Sequence, residues 1–223
     1  MKTAMKSADI PVVMRILKRE CKKLKTPYVT IVAGGERKDP FRILVSCVLS
    51  LRTKDSTTRE ASVRLFRLAA SPVELAALKT SQIERAIYPV GFYRTKARQL
   101  KEMGATLVNR YGSNVPCTIE ELLELKGVGR KTANLVVTMG YAKPGICVDT
   151  HVHRITNRWG FVNTKTPEKT ESALRKKLDK RYWIAINDLL VTYGQNICRP
   201  LSPLCSRCGI YKYCARKGVK KWR

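Results

Sequence analysis

The sequence predicts an all-helical protein, on three observations. Apolar residues recur at helical spacing along most of the chain, helix-start signals are repeated throughout, and hardly any stretch alternates apolar and polar residues as a half-buried strand does. Residues 9 to 24 come first: Ile10, Val13, Met14, Leu17, Cys21 and Leu24 share one face, and lysines and arginines crowd the other. Thr26 to Arg37, with Gly34-Gly35, reads as a loop and a domain boundary. Asp39-Pro40 is a cap followed by proline in the first helical position, and Phe41, Leu44, Val45, Val48 and Leu49 form the buried stripe that follows. Start signals recur at Asp55, at Ser71-Pro72 with Glu74, at Ser81 with Glu84 and at Thr166-Pro167. Residues 92 to 110 and Arg181 to Gln195 make two longer helices.

Composition bounds the partner. The 223 residues suffice for one large or two small domains whose core needs no disulfide staples, and 44% of them are hydrophobic. Against 44 Lys plus Arg stand only 17 Asp plus Glu, a formal charge of +27, so the partner is a polyanion. No apolar run approaches the roughly 20 residues of a membrane-spanning helix, and the basic residues are spread over every segment, which favours nucleic acid over a membrane surface. A merely salt-bridged surface would need acidic residues in comparable number. Lys2 and Lys6 precede only a short apolar run, Ile10 to Val13, so no secretory signal is read and the eight cysteines are taken as intracellular and reduced. Cys21 and Cys47 fall on apolar helix faces as packing; Cys117 and Cys147 are scattered.

The densest chemistry lies in residues 118 to 150. Thr118 with Glu121 makes a capping box, with Ile119, Leu122, Leu123 and Leu125 at helical spacing behind it. That helix stops at Lys126-Gly127-Val128-Gly129, and a second runs from Arg130 to about Met139. A glycine hairpin between two helices turns the backbone N–H groups of the second outward, and Lys126, Arg130 and Lys131 around it point to a phosphate of nucleic acid. The same glycines also suit an ordinary hairpin in which they only save space. Lys131 sits in the first turn, where the helix dipole, Arg130 and Lys126 disfavour a further positive charge and so favour the neutral amine that a nucleophile requires. Taken alone, a lysine beside glycines is a phosphate contact. Eighteen residues later, Asp149 stands at an N-cap position ahead of Val152, Ile155 and Trp159. Capping is its plain role, and a carboxylate held by helix N–H groups can also face a developing cation.

Cys198, Cys205, Cys208 and Cys214 fall within 17 residues, separated by six, two and five positions, which is the crowding of a metal site. Four thiolates suit tetrahedral zinc or a 4Fe-4S cube, and spacing alone leaves both open.

LKGVGRKTAN, followed by VDTHVHR with its aspartate eighteen residues after the lysine, resembles the helix-hairpin-helix, Gly/Pro-loop and aspartate signature of the endonuclease III family of DNA glycosylases. The resemblance runs from about Asp39 to Cys214. It implies the helix-hairpin-helix glycosylase fold with two helical lobes, residues 34–144 and residues 1–33 with 145–223, and DNA across the cleft between them. The second lobe would carry a 4Fe-4S cluster on Cys198, Cys205, Cys208 and Cys214, whose spacing is that of the family. Lys131 would be the nucleophile and Asp149 the carboxylate that stabilises charge on the sugar. Lys126, Gly127, Val128, Gly129 and Arg130 would bind DNA, while Glu124 and His151 match auxiliary family positions.

Two departures and choices remain within that resemblance. The family pattern at Leu51 to Asp55 is LSAQTD-like, with a glutamine that fills the gap left by an extruded base; Arg52 stands there in this chain and opens the question of opposite-base preference. Phe92, in the turn Val90 to Arg94, is the candidate for an apolar wedge in the duplex and equally for a partly buried core aromatic. The implied activity is that of a bifunctional DNA glycosylase/AP lyase of base excision repair. It would act as a monomer inside the cell, in the cytoplasm of a prokaryote, on double-stranded DNA containing damaged bases or abasic sites. It would remove oxidised pyrimidines and cut 3′ to the abasic site by β-elimination. Monofunctional mismatch-type relatives lack a lysine at position 131 and carry a further C-terminal domain for which no room is expected after Arg223. A non-catalytic helix-hairpin-helix module would explain the charge and the glycines but leave Lys131 and Asp149 as coincidence.

Overall fold

The computed structural model describes residues 4–33 and 39–223; the expected boundary at Gly34-Gly35 falls outside them. The helices are α1 (Ile10–Cys21), α2 (Tyr28–Ala33), α3 (Pro40–Ser50), α4 (Asp55–Leu68), α5 (Pro72–Ala77), α6 (Thr80–Ile87), α7 (Tyr93–Tyr111), α8 (Ile119–Leu123), α9 (Arg130–Leu135), α10 (Thr150–Trp159), α11 (Pro167–Lys177) and α12 (Trp183–Asn196). No strand occurs among the described residues, as the periodicity predicts. The chain forms two compact units, Tyr28–Lys143 and Met1–Pro27 with Pro144–Arg223.

In the unit from Tyr28 to Lys143, α3 is buried nearly all round and α4, α6, α7 and α9 supply apolar faces to the same core, with Leu44, Leu65, Ile87, Leu100 and Val136 fully enclosed. The predicted starts are built as capping chemistry requires. Asp39 accepts from the N–H groups of Phe41 (2.9 Å) and Arg42 (3.1 Å) ahead of Pro40. Ser71 and Glu74 form a reciprocal box, the carboxylate accepting from Ser71 N (3.0 Å) and the hydroxyl from Glu74 N (3.3 Å).

Several boundaries differ from expectation. Tyr28–Ala33, expected within a loop, is a helix, because Val29 and Val32 pack on the core and the Asp55 carboxylate accepts from Tyr28 N (2.9 and 3.1 Å). Asp55, thus engaged across the unit, is the first residue of α4 rather than its cap, which is Lys54. The helix expected from Ser81 begins at Thr80, with Gln82 Oε1 accepting from Lys79 N (2.8 Å) in place of Glu84. Thr118 accepts from Glu121 N (3.3 Å), but the Glu121 carboxylate accepts from the Thr118 hydroxyl (2.5 Å) rather than from the Thr118 N–H, so only one half of that box exists. The helix from Arg130 widens after Leu135 into a π-turn, Val136–Gly140, inside which the Thr138 hydroxyl donates to the Asn134 carbonyl (2.7 Å).

In the other unit, α1 buries Ile10, Val13, Met14, Leu17 and Cys21, the stripe predicted from sequence. It packs with α10, α11 and α12 around Ile155, Trp159, Leu174, Leu190 and Tyr193. The helix expected from Arg181 starts at Trp183, after a short 3-10 turn, Lys180–Tyr182, that Asp179 caps through Arg181 N (3.0 Å). Burial pushes the thiols of Cys21 and Cys47 up to about 12, with Asp188 and Glu20 adding to the effect at Cys21, so both are packing residues.

Candidate functional site

The hairpin between α8 and α9 is closed by Val128, whose buried side chain anchors the turn and whose N–H donates to the Leu125 carbonyl (3.0 Å). Its two glycines do different things. Gly127 has φ +84, the conformation that favours glycine, and a Cβ there would lie 2.9 Å from the end of the flexible Gln99 side chain of α7, which would have to move aside. Gly129, the N-cap of α9, has an ordinary extended φ of −99, and nothing lies within 4 Å of where its Cβ would be. Neither backbone strain nor protein packing accounts for that second glycine; it leaves open space at the start of α9.

Lys131 is exposed in the first turn of α9. The buried thiol of Cys47, on α3, lies within its electrostatic reach. Arg130 is likewise exposed. Lys126 pairs with Glu102 (2.7 Å), and Glu124 accepts from Arg110 (2.7 Å) and the Tyr111 hydroxyl (3.3 Å), so both of these charges are tied back to α7 at the surface.

A second exposed face of this unit joins the turns after α3 and before α7. Arg52 (φ +53) and Phe92 (φ +59) both occupy the left-handed region, and the Arg52 guanidinium carbon lies 5.6 Å from the centroid of the Phe92 ring. Phe92 is 63% exposed, which excludes the core-aromatic alternative. Tyr88, 60% exposed, meets Tyr93 edge to face at 5.3 Å, and Arg94 lies over the Tyr93 ring at 5.3 Å. Exposed rings interleaved with guanidinium groups are the kind of surface that suits stacking bases and phosphates. The turns abut so closely that a Cβ on Gly91 would lie 2.6 Å from the Arg52 carbonyl oxygen.

In the other unit Asp149 is buried and caps α10, Oδ1 accepting from His151 N and Val152 N, each at 2.9 Å. His151 Nδ1 lies 3.1 Å from Arg154 Nη2, and it packs against α12 at Gly194, where any Cβ would collide with the ring. The side chains of Arg154 and Arg158, farther along α10, reach the loop that opens the cysteine segment. Arg154 donates to the carbonyl of Cys198 (2.9 Å), and Arg158 to those of Arg199 (2.7 Å) and Pro200 (2.6 Å).

Cys198, Cys205, Cys208 and Cys214 line one cavity, closed by Ile155, Trp159, Tyr193 and Ile210. Among the described residues no three Cys, His, Asp or Glu side chains converge closely enough to hold a single metal ion, and no disulfide links the cysteines. Arg158 Nη1 donates to Cys198 Sγ (3.3 Å), and the Tyr193 hydroxyl lies 3.3 Å from Cys208 Sγ and 2.8 Å from Glu20 Oε2. Burial pushes the thiols of Cys208 and Cys214 up to about 11 and about 12 and raises that of Cys205, so a thiolate in this place needs cationic company.

Sequence reasoning missed Lys96, Arg158 and Tyr193. For Lys96 a signal existed, since it falls in helical register with the buried Leu100, Met103 and Leu107.

Comparison with known proteins agrees with this arrangement. Residues 45–180 match the family described as HhH-GPD superfamily base excision DNA repair protein. The chain is 49% identical over 176 residues to endonuclease III of Thermotoga maritima, covering 79% of this chain and 83% of that one. Two solved structures, an endonuclease III–DNA covalent intermediate trapped as an estranged-adenine complex and a non-covalent endonuclease III–DNA complex, each superpose with a TM-score of 0.82. Each has 30% sequence identity, with 97% of both chains covered. The chain therefore belongs to the endonuclease III family, within the HhH-GPD superfamily of base excision DNA repair proteins.

Proposed function

We propose that Lys131 is the nucleophile and Asp149 the charge-stabilising carboxylate of a repair enzyme that excises oxidised pyrimidines from duplex DNA and then nicks the strand. As a member of its family the protein is a base excision repair DNA glycosylase/lyase. The observation that carries the finer reading is an exposed lysine in the first turn of α9 beside a glycine with open space before it. A phosphate held at that open helix start would fix the backbone of a nucleotide flipped out of the stack; extrusion costs a few kcal/mol, less for a damaged base.

In this reading the Lys131 amine attacks C1′ of the extruded nucleotide, the glycosidic bond breaks, and the base leaves with the bonding electrons and gains a proton. Asp149 stabilises the positive charge that develops on the sugar, its carboxylate oriented by the N–H groups of His151 and Val152. The two protons of the amine pass to the departing base and to O4′ as the C1′–O4′ bond breaks, leaving the opened sugar joined to Lys131 as a Schiff base. That linkage acidifies C2′, so loss of a proton there expels the 3′ phosphate, and water finally releases the enzyme. Arg52 and Phe92 hold the duplex open on the side of the orphaned base, and His151 and Glu124 have auxiliary places.

Four thiols lining one cavity, at the six, two and five spacing that the resemblance assigns to the family's cluster, support a 4Fe-4S group. Cys198, Cys205, Cys208 and Cys214 would hold it, with Arg158 and Tyr193 donating to sulfur. When bound, the group would supply a structural cross-link for the C-terminal segment. The enzyme would act as a monomer.

A panel of duplexes, each with one lesion, tests the substrate reading. Oxidised pyrimidines should be cut to products ending in a 3′ unsaturated aldehyde; excision confined to mismatched adenine, leaving intact abasic strands, would overturn it.

A further inference from the structure

The face that carries Arg52 and Phe92 is assembled around one buried lysine. Lys96 lies one turn into α7, where its N–H donates to the Phe92 carbonyl (3.0 Å), and it is only 5% exposed. Its ammonium is held by uncharged oxygens: the carbonyls of Leu49 (2.9 Å) and Leu51 (2.6 Å) and the hydroxyl of Thr53 (3.3 Å). Leu51 immediately precedes Arg52, so fixing its carbonyl fixes the plane from which Arg52 turns into its left-handed conformation. Thr53 Oγ1 also accepts from Gly91 N (3.2 Å), next to Phe92. One residue thus fastens the turn bearing Arg52 to the turn bearing Phe92.

Burying an ammonium among neutral acceptors is unfavourable, and burial holds the Lys96 amine at about 8, below the ordinary lysine value. An apolar side chain would fill the same place in the core without that cost. The stabilised object is not the core but the pair of exposed turns above it.

We propose that Lys96 is a positioning residue for recognition of damaged duplex, locking the two turns so that Arg52 and Phe92 are presented to the DNA together. The inference rests on the glycosylase/lyase reading above. It predicts a selective defect, because single-stranded DNA has no stack to hold apart and no orphaned base to contact.

The test uses Lys96→Met in the full chain with two probes. One is a duplex carrying a tetrahydrofuran abasic analogue, read as binding; the other is a single-stranded oligonucleotide with a natural abasic site, read as the rate of borohydride trapping. Binding to the duplex should weaken roughly tenfold while trapping on the single strand keeps the original rate. Adding Lys96→Met to the Arg52→Ala/Phe92→Ala double variant should cost nothing further. Equal losses on both probes, an additive loss in the triple variant, or no change on the duplex would each overturn the proposal. If Lys96→Met does not fold, Thr53→Val removes the hydroxyl shared by Lys96 and Gly91, and the same selective loss must appear. Absence of any adduct with the unaltered protein would count against Lys131 as nucleophile; the binding probe, which needs no chemistry, would still judge Lys96.

Discussion

The guanidinium of Arg52 lies over the ring of Phe92, its central carbon 5.6 Å from the ring centroid, although the two residues belong to turns forty positions apart in the chain. Both have positive φ and both face solvent, so neither conformation is explained by burial. The pair is a preformed contact surface of one donor fork and one stacking face. Phe92→Ala should weaken binding to a lesion-bearing duplex by roughly 5- to 150-fold, the worth of one base–aromatic stack, measured by fluorescence anisotropy.

Arg52 should also set the preferred opposite base. In the gap Arg52 would face the Watson–Crick edge of the orphaned base; it offers only donors, which suit the neighbouring acceptors O2 and N3 of cytosine, whereas guanine presents there one acceptor, O6, beside two donors. Abasic sites opposite cytosine should therefore be cut faster than those opposite guanine, and Arg52→Gln should reduce that preference. Single-turnover rates on the two duplexes measure this; an unchanged ratio would show that Arg52 does not read the orphaned base.

Lys96 makes the stability of the fold depend on pH. Its amine titrates at about 8 in the folded protein and near the ordinary 10.5 when unfolded. Between those values the unfolded chain binds a proton that the folded one does not, so stability rises with pH across this window, by at most about 3 kcal/mol. Subtracting the profile of Lys96→Met from that of the original protein in urea unfolding isolates the rise. A difference curve flat from pH 7 to 11 would contradict the burial of a charged amine.

Asp149 caps α10 and is proposed to stabilise the sugar cation, two roles that substitutions separate. Asp149→Asn keeps Oδ1 as an acceptor for His151 N and Val152 N, so the melting temperature should barely change while excision falls steeply. Asp149→Ala loses the cap as well and should cost about 1 kcal/mol of stability. Equal activity in the asparagine variant would leave Asp149 as a cap only.

The cysteine cavity makes a compositional prediction. Purified protein should contain iron and acid-labile sulfide in equal amounts, and Arg158→Met should lower iron retention, since it strips donors from Cys198 Sγ and from the carbonyls of Arg199 and Pro200. Colourless protein with stoichiometric zinc would remove the cluster reading.

Local chemistry was legible in the sequence where it acts within a few residues. Asp39-Pro40, Ser71 with Glu74, Thr166 and Asp149 all cap as their spacing predicts, because capping is decided inside one turn. Helix α2 was not legible: it depends on Asp55, 27 residues away, and on a core that pattern alone does not locate. The register of Lys96 with Leu100, Met103 and Leu107 marked it as buried, but the same limit hid its partners Leu49 and Leu51, reached only across the fold, and the role of Arg158, whose acceptors lie 40 or more positions on. The hairpin glycines were read together as space-savers or phosphate contacts; only coordinates separate Gly127, whose positive φ favours glycine, from Gly129, whose φ does not.

The most direct measurement is borohydride reduction of the protein mixed with duplex DNA containing one abasic site, followed by mass spectrometry of the digested adduct. A covalent sugar adduct on Lys131 is expected, abolished by Lys131→Ala in a variant that still binds the duplex. An adduct on another amine, or a Lys131→Ala protein trapped as well as the original, would contradict it.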